Sequence, residues 1–192
     1  QPREKGGFRK GWAYIVSHPN TLAFLFLSWV LPIFIIPNFN ALLPVYAKDV
    51  YAGGPDTLGM LLSAIGIGGI LGGFVATSLG NQKFERRGVL QLDALLLLGL
   101  SLIGFALSSH LWVGLVCLAM AGFFEMIYIT TNMTALQLSV PDELRGRVMG
   151  IVSLRSGLTP VGAFIAGIGA DLIGPQMVTV ILSGAALVIA VV

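Results

Sequence analysis

The sequence predicts an all-α integral membrane protein, a single bundle of six transmembrane helices. Three observations predict it. First, 56% of the 192 residues are hydrophobic, only 10% are charged, and the mean hydropathy is +0.89. A soluble domain carries about 25% charged residues, so much of this surface must face hydrocarbon. Second, six apolar runs reach or approach the roughly 20 residues that cross a hydrocarbon core of about 30 Å. Backbone groups in lipid must be satisfied internally, so an open chain crosses as helices. Third, the basic residues are sorted between alternate connections. Arg3, Lys5, Arg9, Lys10, Lys83, Arg86, Arg87, Arg145 and Arg147 fall on one side, against Lys48 on the other. Basic loops stay cytoplasmic, which predicts a multi-pass membrane protein with the N-terminus of this segment inside. A net charge of +2 gives no reason to expect nucleic acid.

The elements follow in order. Residues 1–20 read as a cytoplasmic juxtamembrane segment. "GGFRKGWAYIVSHPN" sets Phe8, Trp12 and Ile15 on one helical face beside Arg9 and Lys10, which suits a short helix lying in the interface. Residues 21–192 read as the bundle. Its first span, 21–46, carries Asn38 and Asn40 beside Pro37. The second, 58–79, contains "GIGGILGGFVA", with Gly68/Gly72 and Gly69/Gly73 in the spacing that brings helices into close contact. The third, 89–107, holds Asp93 near its start. The fourth, Leu111–Ser139, holds Glu125 at its middle, and the fifth, 148–172, holds Arg155. The sixth runs from 177 to the end. The breaks between them are short and polar: "AKDVYAGGPDT", "GNQKFERRG", "SSH", "PDELRGR" and "DLIGPQ". A start at Gln1 and an end inside an apolar run suggest a piece of a longer protein. "QPREKGGFRK" has no apolar core of the kind a signal peptide needs.

Enzymatic and metal chemistry find little here. Cys117 is the only cysteine, which excludes an internal disulfide and a cysteine-based metal cluster. His18 and His110 lie at opposite interfaces with no second ligand in the sequence around them. No glycine-rich stretch sits between a strand and a Lys-Ser/Thr pair, so a nucleotide-binding loop is excluded, and no Ser/His/Asp or Cys/His set gathers on one side. The sequence therefore predicts no enzyme, no cofactor and no metal.

"GGFVATSLGN" at 72–81 matches "GAFIAGIGAD" at 162–171, and the same offset relates Thr21 to Leu111. Three spans intervene, so the two copies have opposite orientations, a transporter trait. With six spans, a basic loop after the second and "VPDELRGRVMG" opening the fifth, the chain resembles the C-terminal half of a major facilitator superfamily transporter. It looks closest to the bacterial drug-efflux and siderophore-export branch that includes the enterobactin exporter. The resemblance covers nearly the whole chain and implies helices seven to twelve of that fold, arranged as two inverted three-helix repeats. In "GNQKFERRG" the family's loop motif, Gly-x-x-x-Asp-Arg-x-Gly-Arg-Arg, is eroded: Asn81 stands about where the acid would be, and Glu85 where a base would be. The resemblance implies a secondary transporter of the cell's inner membrane moving a small molecule by alternating access, with proton-coupled efflux as its activity. Its partners would be that substrate, protons, the lipid bilayer and a missing N-terminal six-helix half. The rival reading is a non-transporting membrane sensor or assembly module that retains the fold.

A charge at the bilayer centre costs at least about 2.5–3.5 kcal/mol, so the polar residues inside spans are the candidates for function. Glu125 leads. Tyr128 and Asn132 follow at helical spacing, and a water-filled cavity would accommodate that polar stripe. The family's fourth and first helices of this half line the central cavity, which adds Asn38 and Asn40 to the substrate or proton pathway. A structural pair inside the bundle, or a protonated bystander, are the other readings of Glu125. Arg155 either snorkels or pairs with Glu125 or Asp93. Asp93 itself suits an interfacial contact with Arg86 or Arg87. Arg145 and Arg147 either help to hold the cytoplasmic side shut or anchor the topology.

Overall fold

The computed structural model describes residues 7–79 and 84–191, leaving aside the side chains of 7–10, 79, 84–86 and 191. All regular structure among them is helical. A short helix α1 covers Gly7–Ser17. Five helices are long and apolar enough to cross a membrane. These are α2 (Pro19–Val50), α3 (Pro55–Leu79), α4 (Phe84–Leu107), α5 (Leu111–Ser139) and α6 (Asp142–Ile173). The apolar part of α7 (Pro175–Val191) is shorter, Pro175–Ala190. At 1.5 Å per residue it covers about 24 Å of the roughly 30 Å core. The structure thus has five long apolar helices and one shorter one where the sequence predicts six spans.

The helix ends follow local chemistry. His18 and His110 are extended residues that open α2 and α5, and Pro19 occupies the first turn, where its missing N–H is not needed. Val140 is extended and ends α5; Pro141 then opens α6, with Asp142 and Glu143 in the favourable first turn. Gly174, at φ 85°, reverses the chain between α6 and Pro175. That backbone conformation favours glycine. Connections this short force neighbouring helices to run antiparallel.

α2 is not uniformly wound. Its α-helical start, Pro19–Val30, gives way to π-type windings over Leu31–Ile35, Asn38–Leu42 and Tyr46–Val50. Pro32, Pro37 and Pro44 explain the irregularity. Each removes a backbone donor and pushes against the preceding turn, and a wider winding relieves the clash. The Asn38 amide refills part of the ladder, donating to the carbonyls of Phe34 (2.8 Å) and Ile35 (3.2 Å). α6 has its own irregular stretch, a 3₁₀ turn over Leu154–Leu158 just before Pro160.

α5 is the hub, packed along α3 on one side and α4 on another, while α4 also packs on α7. The α3–α5 contact is backbone on backbone. A Cβ placed on Gly68 or Gly72 would run into the carbonyls of Ala119 and Phe123, and one on Gly122 into that of Ile65. The small-residue spacing does bring these helices together. α2 crosses α5 with its first half and meets α6 and α7 with its middle. Tyr46 sits on Phe105, with ring centroids 4.4 Å apart, and its hydroxyl donates to Thr179 (3.1 Å), joining α2, α4 and α7. Just beyond α2, the Tyr51 hydroxyl donates to the Ser108 carbonyl (3.4 Å), and burial raises its pKa above the ordinary tyrosine value.

α1 lies against the start of α6 and against α2. Ile15 is fully buried with Leu25, Leu136, Val148 and Ile151, and the Tyr14 hydroxyl donates to the Ser139 carbonyl (2.9 Å). Trp12, expected on the same face as Ile15, is exposed instead. Gly11 packs against Arg147, which fixes the rotation of α1 and turns Trp12 outward. The outer faces of the bundle carry bare apolar side chains such as Phe74, Leu107, Trp112, Phe164 and Leu172, as a lipid-facing surface requires.

Candidate substrate and proton pathway

α5 supplies the candidate site because it is both the central helix and the one with a carboxylate at mid-length. Glu125 is half-buried and faces a groove of about 440 Å³ between α3 and α5. Ile65, Gly66, Gly69, Ile70 and Gly73 make the α3 wall; Gly122, Met126 and Ile129 flank the carboxylate on α5. The two glycine registers of α3 therefore do different things. Gly68 and Gly72 let the helices touch, whereas Gly69 and Gly73, one position on, leave space in front of Glu125. Among the described residues Glu125 has no hydrogen-bond or ion-pair partner. A carboxyl group open to a groove and uncommitted to the bundle can exchange a proton or meet a cationic group.

Tyr128 and Asn132 turn elsewhere. The Tyr128 hydroxyl donates to the Leu27 carbonyl (2.6 Å) and the Asn132 amide to that of Phe24 (3.1 Å), so both tie α5 to α2. Both are almost wholly buried, and Asn132 Oδ1 has no hydrogen-bond partner. Asn38 is also buried, with its amide on its own helix and its Oδ1 unpartnered; Asn40 is exposed. Two positions apart on a helix, the asparagines point away from each other.

Arg155 is half-buried in the 3₁₀ turn of α6. Among the described residues it forms no ion pair with Glu125 or Asp93. Asp93 is exposed on α4. The side chain of Arg86 and residues 80–83 of the eroded loop motif lie outside the described residues. Arg145 is held locally, paired with Asp142 (2.6 Å) and donating through Nε to the Gln137 carbonyl (3.2 Å). Arg147 is half-buried beside α1 and takes part in a further interaction.

One residue escaped the sequence reading. Gln91 of α4 is completely buried against Tyr128, and neither its amide oxygen nor its nitrogen has a well-formed hydrogen bond. Its signal was a polar side chain just inside an apolar run, two positions before Asp93, whose charge drew the attention. Gln91 of α4 and Tyr128 of α5 thus meet in the interior of the bundle. No group of three or more His, Cys, Asp or Glu residues that could hold a metal occurs among the described residues.

Comparison with known proteins places these features in a family. The family described as "transmembrane secretion effector", of the major facilitator superfamily, matches residues 2–192. The staphyloferrin A transporter of Staphylococcus aureus is 28% identical over 139 residues, 71% of this chain and 34% of that protein. The multidrug efflux pump Tap of Mycolicibacterium fortuitum is 32% identical over 142 residues, 72% of this chain and 33% of the pump. The macrolide efflux protein A of Streptococcus pyogenes is 26% identical over 169 residues, 86% and 41% respectively. The chain thus spans about a third to two-fifths of the length of these relatives. No solved structure matches it. Multi-pass, helical and apolar on its outer faces, the chain belongs to the transmembrane secretion effector family of major facilitator transporters.

Proposed function

We propose that the chain is the C-terminal six-helix half of a secondary transporter that exports a small organic molecule by alternating access, driven by proton antiport. In this reading α7 completes a six-span bundle of two inverted three-helix repeats, and an N-terminal half supplies the facing wall of the cavity. The nine-to-one sorting of basic residues supports a cytoplasmic N-terminus for this segment in the inner membrane. The names of the relatives, a siderophore transporter and efflux pumps for macrolides and multiple drugs, support a small organic substrate.

The observation that carries the reading is Glu125. A structural carboxylate at this depth would be expected to hold a partner, because the unpaired charge is costly there. Glu125 instead stands in an apolar groove with none among the described residues. It is the proton-coupling or substrate-binding group of the pathway. Tyr128, Asn132 and Asn38, bonded here to carbonyls of α2, become available to substrate or protons when α2 and α5 part during the cycle; Asn40 faces outward from α2 toward the other half. Arg155 is a counter-charge available to a carboxylate that arrives during the cycle, from Glu125 or from the missing half.

The test is export by the full-length protein in everted vesicles. Glu125→Gln keeps shape and hydrogen-bonding capacity but cannot titrate, and it should insert normally while losing most proton-driven export. Glu125→Asp should retain part of it. Wild-type export by Glu125→Gln would remove the residue from the mechanism. A sensor or assembly module would show no export in the unmodified protein either.

A further inference from the structure

A second groove runs between α3 and α5 at the end of the bundle away from α1. It measures about 720 Å³, and its lining includes Asp56, Met60, Ser63 and Ile67 of α3 with Trp112 and Val116 of α5. It does not continue the groove at Glu125. Met60 and Gly69 stand nine residues apart on α3, as do Val116 and Glu125 on α5. Nine residues make about two and a half helical turns, so each pair points to opposite sides of its helix. The two grooves therefore flank the α3–α5 contact on opposite sides, and this one faces away from the proposed pathway. Its walls are bare. Ile67, Trp112 and Val116 are each more than half exposed, the state of side chains that face lipid.

Charge and depth define what fits there. Asp56 is the one charged residue in the lining, and no ion pair or hydrogen bond engages it among the described residues. It stands in the first turn of α3, and Trp112 stands in the first turn of α5. Both are at headgroup level, where tryptophan is a common anchor. From Asp56 to Ile67 the α3 wall is about 17 Å long, close to half of a hydrocarbon core of about 30 Å. A carboxylate at headgroup depth, above an apolar trough one leaflet deep, complements an amphiphile with a positive head and an acyl tail. We propose that the groove holds a phospholipid with a primary-amine headgroup. Its ammonium pairs with the Asp56 carboxylate at the indole of Trp112, and one acyl chain lies along Met60, Ile67 and Val116. A primary ammonium carries N–H donors for charge-assisted bonds to a carboxylate, and the face of an indole attracts the same charge. Lipid bound there bridges α3 and α5 beyond their backbone contact at Gly68 and Gly72.

The experiment uses the full-length protein, delipidated in a maltoside detergent, and reads the melting temperature against added lipid. Phosphatidylethanolamine, phosphatidylcholine and phosphatidylglycerol of the same acyl chains are the probes, with dodecylammonium as a single-chain cation. Phosphatidylethanolamine should stabilise at the lowest concentration, since the choline lipid lacks N–H donors and the glycerol lipid lacks the positive charge. In Asp56→Asn its half-saturating concentration should rise about two- to fivefold, as loss of an exposed ion pair would give, and the preference among the lipids should shrink. Trp112→Ala should weaken the ethanolamine and choline lipids alike, because the indole attracts either cation. The readout is the shift caused by the lipid, so a lower starting melting temperature in a variant does not obscure it, and no transport is needed. Location is read separately. A phosphatidylethanolamine with a diazirine in one acyl chain, in vesicles with the full-length protein, should label within 56–67 or 112–119. Equal half-saturation for the three lipids, or an unchanged preference in Asp56→Asn, would overturn the proposal. So would dodecylammonium acting as well as phosphatidylethanolamine, which would give the groove to an organic cation. Photolabelling that misses both stretches would overturn it too, and would leave the groove to the N-terminal half.

Discussion

Replacing Gly72 by alanine tests whether α3 and α5 touch through their backbones. A Cβ at this position would meet the carbonyl carbon and Cα of Phe123 at 2.9 Å, and its carbonyl oxygen closer still. These are main-chain atoms and cannot swing aside as a side-chain tip would. The helices must part, and parting also loosens the reciprocal contact of Gly122 with Ile65. Overpacking of this kind costs about 1–3 kcal/mol. Alanine returns about 0.8–1.0 kcal/mol through helix propensity, which would blur a single measurement. Gly73→Ala cancels that term. Its Cβ would lie 3.6 Å from Met126 Cγ, an ordinary contact, so it gains the propensity without the clash. The difference between the two variants is then the steric cost alone, about 1–3 kcal/mol. A domain of 150–250 residues shifts by about 2–4 °C per kcal/mol and a longer protein by less, so Gly72→Ala should melt about one to several degrees below Gly73→Ala. Thermal unfolding of the two full-length proteins in the same detergent gives the answer. Equal melting temperatures, or a higher one for Gly72→Ala, would refute backbone contact between these helices.

Other consequences follow from single bonds and from the charge pattern. Tyr128→Phe removes the 2.6 Å bond to the Leu27 carbonyl. Bonds between membrane helices average about 0.6 kcal/mol and reach about 1.7, so a small drop in melting temperature is expected, and a loss above about 3 kcal/mol would mean that Tyr128 does more than hold α2. Arg145→Lys keeps the charge that pairs with Asp142, and exposed pairs are worth about 0–1 kcal/mol. Stability should barely change, and full export in that variant would leave topology anchoring as the account of this residue. In a Cys117→Ser background, a cysteine at Gln82 should be labelled from the cytoplasmic side and one at Lys48 from outside; the reverse pattern would invert the proposed orientation.

The helices were legible in the sequence because apolar length and backbone satisfaction leave lipid-exposed chain few alternatives. The contact at Gly68 and Gly72 was legible for a similar reason, since small residues at that spacing form a flat strip. Which neighbour a polar residue addresses was not. Helical spacing put Tyr128 and Asn132 beside Glu125, yet α5 touches α2, α3 and α4, and a turn of the helix is enough to change partner. Both residues meet carbonyls of α2, while Glu125 opens onto α3. The possible Arg155–Glu125 pair depended on the approach of α6 to α5, and local spacing carries no information on that distance. The sequence reading marked Pro37 only as a neighbour of Asn38 and Asn40, and the widening of α2 into π-type windings emerged from the structure. Gln91 shows the opposite limit: an uncharged amide in an apolar run raised no alarm, and only its complete burial against Tyr128 reveals it.

Separating coupling from movement tests the role of Glu125 most directly. Full-length protein in sealed vesicles can be assayed for accumulation of an exported drug against a pH gradient, and for exchange of labelled for unlabelled drug with no gradient. Exchange needs the cavity to alternate with substrate bound but needs no net proton transfer. Glu125→Gln should therefore exchange drug at a rate near wild type while failing to accumulate it at any pH. Accumulation at the wild-type level, with an unchanged dependence on pH, would contradict the assignment of proton coupling to Glu125.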